Sequence, residues 1–395
     1  MTKLKKFGSK LVNALGQPLV AVAISLGIGA IVIALSGKNV FTSYGIMLKG
    51  AFGDGYYLSA TLSRSTAIIM AGLSVCVAWR SGYETMGGEG QMIFGALLSA
   101  AVAYYLPGSG LTKILVGLIA ASVIGALYSM LSGWLYEKFN VTFIISTLMM
   151  NYIANYIASY FTAYVIKDPE SRDINSIQTG KLIESARFGK VTLFQDGFLK
   201  DTAIGAYFED FSVHWGFFFA LICTVLVSVL MTRTVIGYKS KMNGFNYRFA
   251  RYGGINARAM LYFAMIVSGV LAGLGGAFEV FGSKYRYIDQ MIFSTGYAWS
   301  GMVAALLANF NAYGTVLASI LLAGLNTGGS AMQRSAGIPV ETVNMLEGVI
   351  MLLMSVKLLH LIHIRRKVRR EQQAEDAASA NTGANIDEGK ETENK

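Results

Sequence analysis

The sequence predicts an all-α polytopic membrane protein of about ten transmembrane helices, with N- and C-termini cytoplasmic and an extracellular loop at 167–213. Three observations predict it. Hydrophobic residues make up 54% of the 395 residues and charged residues only 14%, against about 25% charged in an ordinary soluble domain. Ten stretches approach the roughly 20 apolar residues that cross a bilayer. Three basic segments without acids fall where such a chain keeps them on one side. Mean hydropathy is +0.49, which excludes a soluble enzyme with a solvated surface. Glycine is frequent (44) and proline rare (4), as suits helices packed closely in lipid.

The expected spans are 18–36, 61–79, 90–107, 112–134 and 140–166. After a long polar stretch come 214–232, 259–282, 290–309, 312–328 and 341–364. Gly and polar residues interrupt the third, eighth and ninth. Residues 1–364 thus form one transmembrane domain, followed by a basic and then disordered cytoplasmic tail, 365–395. The apolar run from Pro18 to Ser36 is longer than the 7–15 residues of a signal-peptide core, so it reads as an uncleaved first span.

Sidedness follows from Lys and Arg. Lys3, Lys5, Lys6 and Lys10 precede the first span. Arg233, Lys239, Lys241, Arg248, Arg251 and Arg258 occupy the loop 233–258, and Arg365, Arg366, Lys367, Arg369 and Arg370 follow the last span. With ten spans all three segments fall in the cytoplasm. The 167–213 stretch has six basic residues and eight acids, a balance of −2, and is expected outside as a cap over the extracellular mouth. The net charge of +10 therefore belongs to the lipid bilayer and its cytoplasmic face, not to nucleic acid.

Catalytic and cofactor motifs are absent from the sequence. There is no GxxxxGK[ST] phosphate loop, GxSxG or HExxH. Cys76 and Cys223 sit in apolar runs with no CxxC. His360 and His363 have metal-ligand spacing, but no acid or cysteine lies near them in sequence. No catalytic residue, cofactor or metal site is expected, and the chain reads as a transport pore.

Four segments carry information. Arg80 to Gln91 holds glycines at 87, 88 and 90, which permit irregular backbone, and Glu89, costly against lipid. In Thr147–Tyr160, Asn151 and Asn155 share a helix face, as do Tyr152, Tyr156, Tyr160 and Tyr164. The amides should face protein or pore. The tyrosines fit either stacking on a flat solute or helix packing with an interfacial belt. Phe245, Phe249 and Tyr252 recur at helical spacing among Arg248 and Arg251. That pattern fits an amphipathic surface helix or a docking element. Gly269 and Gly273 form a GxxxG packing face ahead of Glu279.

These segments, in this order, resemble the permease subunits of bacterial ABC importers of the ribose and branched-chain amino-acid type. The nearest subgroup is the nucleoside and simple-sugar one, which works with basic-membrane-protein-like lipoproteins. The matching pieces are Gly88-Glu-Gly-Gln91, Leu148-Met-Met-Asn-Tyr-Ile-Ala154, Gly244-Phe-Asn246 with Tyr252-Gly-Gly-Ile-Asn256, Ser268 to Glu279, Gly301 to Leu307, and Gly337-Ile-Pro339. The chain departs from the family pattern at Thr85-Met86-Gly87, Asn311-Ala312 and Arg251.

The resemblance implies half of an importer in the bacterial cytoplasmic membrane. A second permease chain, the product of a different gene, completes the pathway. A separate ATPase uses the ATP and docks on 242–258 through Phe245, Arg248, Phe249, Arg251, Gly254 and Asn256. An extracellular substrate-binding lipoprotein delivers the small-molecule substrate. Candidate pathway or helix-packing residues are Glu89, Gln91, Asn151, Tyr152, Asn155 and Glu279. The competing expectation is an ion-coupled secondary transporter using Glu89, Glu279 or Glu347.

Overall fold

The computed structural model describes residues 2–168, 177–191 and 210–355, and most of them are helical. In chain order the helices are α1 (Thr2–Leu35), α2 (Val40–Phe52), α3 (Gly55–Arg80), α4 (Gly88–Tyr105), α5 (Gly110–Phe139), α6 (Phe143–Tyr160) and α7 (Trp215–Arg233). Then come α8 (Val235–Phe245), α9 (Tyr247–Tyr252), α10 (Ala257–Glu279), α11 (Met291–Thr295), α12 (Tyr297–Leu307), α13 (Ala312–Ala336) and α14 (Glu341–Ser355). Two π-helical turns, Phe161–Val165 and Val280–Lys284, extend α6 and α10. The chain divides into two units, residues 27–347 and residues 1–26 with 348–395. The described part of the second unit is the first part of α1 and the end of α14. The packing and the sites described below belong to the first.

Among the described residues, six helices are long and apolar enough to cross a membrane: Pro18–Leu35, Gly55–Arg80, Gly110–Phe139, Trp215–Arg233, Ala257–Lys284 and Ala312–Ala336. The expected spans 90–107 and 140–166 are helices of 18 residues each. Their glycines, tyrosines and amides keep them out of the six. The expected span 290–309 is broken. Gly296, at φ 65°, separates α11 from α12. The expected span 312–328 runs on to Ala336 and stops at Gly337 in the left-handed conformation, where glycine carries no Cβ penalty. The last expected span is described to Ser355. The tail 365–395, with His360 and His363, lies outside the described residues.

One helix was not foreseen. Asn39 accepts from Thr42 N at 3.2 Å and starts α2. Its 13 residues rise about 20 Å, short of a roughly 30 Å hydrocarbon core. It lies along α13, with the Met47 carbonyl at Gly328 and Gly50 at Ala331.

The packing centre is α10 against α3, α4 and α5. A Cβ on Gly269 would collide with the Gly125 carbonyl, one on Gly273 with the Ala121 carbonyl, and one on Gly276 with the Met92 carbonyl. The backbones touch, as expected of the GxxxG face. Ser74 and Ser268 add a buried hydrogen bond of 2.8 Å between α3 and α10. The described parts of the 167–213 loop are stitched to the far end of α10. Leu182 N donates to Tyr285 O at 2.8 Å, and Phe188 N donates to Phe281 O at 2.9 Å.

Gly273→Val should therefore abolish monodisperse protein in detergent size-exclusion profiles, since overpacking costs about 1–3 kcal/mol even where neighbours can yield. Gly45→Ala, where an added Cβ meets nothing within 4 Å, should leave the profile intact. Equal profiles for the two variants would refute backbone-limited packing.

Candidate translocation cavity and coupling surface

At the basic end, α8 and α9 meet at Asn246. Its extended backbone ends α8, and its Oδ1 accepts from Phe249 N at 3.0 Å to start α9. One amphipathic helix was expected here; the structure has two, because Asn246 caps the second. Ala250 is the one buried residue of α9. Phe245 is 73% exposed, Phe249 67% and Tyr252 93%. Arg248 and Arg251 are exposed beside them. Gly254 turns the chain at φ 74°, and Asn256 caps α10 by accepting from Ala259 N at 3.2 Å. The six residues singled out from the sequence thus fall on one segment. Four of them, Phe245, Arg248, Phe249 and Arg251, form an aromatic and basic surface. Gly254 and Asn256 shape its exit.

The candidate pathway residues divide. Asn151 is a staple. Its Oδ1 accepts from Gly90 N at 2.9 Å and its Nδ2 donates to Met86 O at 2.9 Å. The start of α4 is thereby fastened to α6; irregular backbone was expected at Gly87, Gly88 and Gly90, but regular helix begins at Gly88, with Gly87 as its cap. Glu89 is buried in the first turn of α4, among Ala71, Val75, Ala298 and Met302, with the Trp299 side chain as its donor. Gln91 and Asn155 are buried, and the side-chain oxygen of each lacks a hydrogen bond. Tyr152, Tyr156, Tyr160 and Tyr164 stand exposed on the outer face of α6. The Tyr152 ring is 5.6 Å from that of Phe293. The amides and the tyrosines therefore serve opposite faces.

At the other end lies a cavity of about 510 Å³. Arg64, Glu279 and Tyr297 form one wall, and Tyr57, Lys284 and Arg334 are among the remaining lining residues. A buried polar chain runs from it. Tyr297 Oη donates to Glu279 Oε1 at 3.0 Å. The Arg64 guanidinium sits 5.4 Å from the centre of the Tyr297 ring. Arg64 Nη2 donates to Asn326 Oδ1 at 3.4 Å. Asn326 Nδ2 donates to Glu347 Oε1, and Ser300 Oγ donates to Glu347 Oε2 at 2.6 Å. One cation and two carboxylates thus share a buried chain in which each has a polar partner: Arg64 the Asn326 oxygen, Glu279 the Tyr297 hydroxyl, and Glu347 Ser300 and Asn326.

The sequence reading found Glu279 and Glu347 but missed Arg64, Tyr297, Asn326 and Ser300. A basic residue within the apolar stretch 61–79 was the available signal. Chemically the cavity offers donors, one carboxylate acceptor and aromatic rings. It suits a polar solute with a flat ring or several hydroxyls. Among the described residues no group of three His, Cys, Asp or Glu could hold a metal ion.

His214 also lines this cavity, outside the helical spans, with its ring against Phe188. Burial pushes its pKa down to about 4, so the ring is neutral at pH 7. The unfolded imidazole protonates near pH 6.5 and the folded one only near 4. Its stabilising effect is therefore complete above pH 6.5 and is lost as pH falls toward 4. Melting temperature in detergent should decline over that window. His214→Phe should flatten part of the decline, and an unchanged slope would count against the assignment. For the amides, Asn151→Leu should lower the melting temperature more than Asn155→Leu, because it forfeits two buried hydrogen bonds of about 0.5–1.5 kcal/mol each.

The profile of the family described as branched-chain amino acid transport system, permease component, matches residues 57–355. Similar proteins include the guanosine ABC transporter permease protein NupP of Bacillus subtilis (strain 168). It is 31% identical over 344 residues, 87% of this chain and 93% of that one. The glucose ABC transporter permease protein TsgB13 of Haloferax volcanii is 28% identical over 86% of each chain. The nucleoside ABC transporter permease protein NupB of Lactococcus lactis subsp. cremoris is 27% identical over 87% of this chain and 91% of its own. No solved structure matches the chain. A profile match over most of the length, on a helical membrane protein, assigns the chain to the branched-chain amino acid transport system permease component family.

Proposed function

We propose that the chain is one permease half of an ATP-driven importer of nucleosides or a related small polar solute such as a sugar. The observation that carries this reading is the family match across 57–355 together with relatives named for guanosine and nucleosides. The chain is a membrane transport subunit and not an enzyme. ATP is hydrolysed on a separate subunit, which replaces the ion-coupled alternative. In this reading a sibling permease completes the pathway, and an extracellular lipoprotein delivers solute to the cavity beside Arg64 and Glu279. The tyrosine-lined wall and the mixed donors and carboxylate suit a base and a ribose.

The chain crosses the membrane ten times in this reading, with both termini and α9 in the cytoplasm. The support is the acid-free basic charge of the 233–258 stretch around α9. The substrate test is direct. Deleting the gene should abolish uptake of labelled guanosine or another nucleoside and leave glucose uptake unchanged. The opposite pattern would move the assignment to sugars.

Topology can be read with single cysteines in a chain lacking Cys76 and Cys223. Ser185→Cys, exposed in the outer loop, should react with an impermeant thiol reagent applied to intact cells. Arg251→Cys should react only after permeabilisation. Ser240, in the same basic loop, is unsuitable as a probe because it is 0% exposed. Labelling of Arg251→Cys from outside would refute the orientation.

For coupling, the end of α8 and α9 insert Phe245 and Phe249 into a groove of the ATPase, with Arg248 at the rim. Buried aromatic anchors commonly contribute about 2 kcal/mol or more to an interface, and rim charges less. Phe249→Ala should abolish uptake and release the ATPase in a detergent pull-down, whereas Arg248→Gln should retain most of both. Gly254→Val should resemble Phe249→Ala, since a β-branched residue is strained at a positive φ. Full ATPase retention by Phe249→Ala would leave α9 as a headgroup-resting helix.

A further inference from the structure

The segment carrying α9 is fastened to a turn more than 150 residues away in sequence. Asn243, near the end of α8, donates through Nδ2 to Ser81 O at 3.0 Å and to Tyr83 Oη at 3.1 Å. The Tyr83 hydroxyl donates in turn to Ala257 O at 3.1 Å, the first residue of α10. One phenol therefore ties together the residues on both sides of α9. Ser81 Oγ and Ser240 Oγ share a further hydrogen bond. The backbones also meet: a Cβ on Gly82 would stand 2.9 Å from Gly244 Cα. All four side chains are buried, so water competes little for the bonds among them. Asn243 Oδ1 is left without a partner, a cost that a residue holding this place only to fill space would not incur.

The turn continues the connection. Trp79 Nε1 donates to Thr85 O at 2.9 Å, and Met86 N donates to Thr147 Oγ1 at 3.1 Å. Asn151 then grips Met86 O and Gly90 N. From Asn243 to α6 and to the Glu89 turn of α4, each step is a hydrogen bond or a short piece of backbone. By contrast α9 has six residues and buries only Ala250, too little to move the helices by its own packing.

We propose that the joint of Ser81, Tyr83, Ser240 and Asn243 transmits displacement of α9 to the N-terminus of α4 and to α6. Tyr83 and Asn243 are positioning residues for coupling, acting through the 81–90 turn. This rests on the reading that α9 docks the ATPase. A stiff joint makes α8, α9 and the turn move as one body. A broken joint lets α9 follow the ATPase while α4 and α6 stay behind, so ATP is hydrolysed without transport.

The test uses the full complex of both permeases and the ATPase in proteoliposomes with the binding protein present. Uptake and ATP hydrolysis are measured in the same vesicles. Tyr83→Phe keeps the ring, which packs on Tyr136 and Phe143, and removes only the hydroxyl. It should lower solute transported per ATP at least about fivefold, the factor that even one of its two hydrogen bonds, about 1 kcal/mol, supports, with ATPase retention unchanged. Ser240→Ala, a smaller change, should act in the same direction. A disulfide between Ser81→Cys and Ser240→Cys, with Cys76 and Cys223 replaced by serine, should preserve uptake. A wild-type ratio in Tyr83→Phe and Ser240→Ala overturns the proposal, as does a proportional loss of uptake and hydrolysis, which marks a merely structural role. Loss of uptake on disulfide formation overturns it too, because the joint would then have to open. Failure of the docking reading looks different: Phe249→Ala would still retain the ATPase, and α9 would have no displacement to transmit.

Discussion

The absence of water inside a bilayer removes the hydrophobic drive between helices, so close contact has to hold them together. In this chain that contact is backbone on backbone. Gly125, Gly269, Gly273 and Gly276 let α10 lie against α4 and α5 with no side chain between. Everything functional is placed relative to this packing. The start of α4 carries Glu89 and the stapled turn. The start of α10 receives the chain from α9, and its far end carries Glu279 and anchors the outer loop.

Around that dry centre the protein distributes its polar groups as connected chains. Glu279, Tyr297, Arg64, Asn326, Glu347 and Ser300 form one chain near the cavity. Asn243, Tyr83, Ser81 and Ser240 form another near α9. Each buried charge or amide in them lies against another polar group, which is how ionisable groups persist at such depth. In the proposed reading, the first chain lies where the solute enters and the second where the ATPase docks.

Much of this was legible in the sequence, and the failures have physical reasons. The helices of long apolar runs, such as Gly110–Phe139 and Trp215–Arg233, announce themselves by length and hydropathy. The spacing of Asn151 and Asn155 placed both amides in the interior, where the structure buries them. Hydropathy could not see α2, because its 13 apolar-rich residues fall short of the roughly 20 that mark a span. Nor could it see the break at Gly296, since a left-handed glycine changes direction without changing polarity. Arg64 was passed over because one cation in a long apolar run leaves the average intact. Its meaning came only from Tyr297 and Asn326, which are remote in sequence. The joint at Ser81 and Asn243 has no local signature at all, since its residues are small, common and far apart along the chain.

Glycine at the centre of the packing also limits where such a protein can change. A surface made of backbone offers nothing to substitute without a collision, so it cannot be tuned to a new solute. Selectivity can drift only in layers that still have side chains to exchange, the cavity wall and the partner that feeds it. A fold held in this way can keep one mechanical frame while the cargo it carries diversifies.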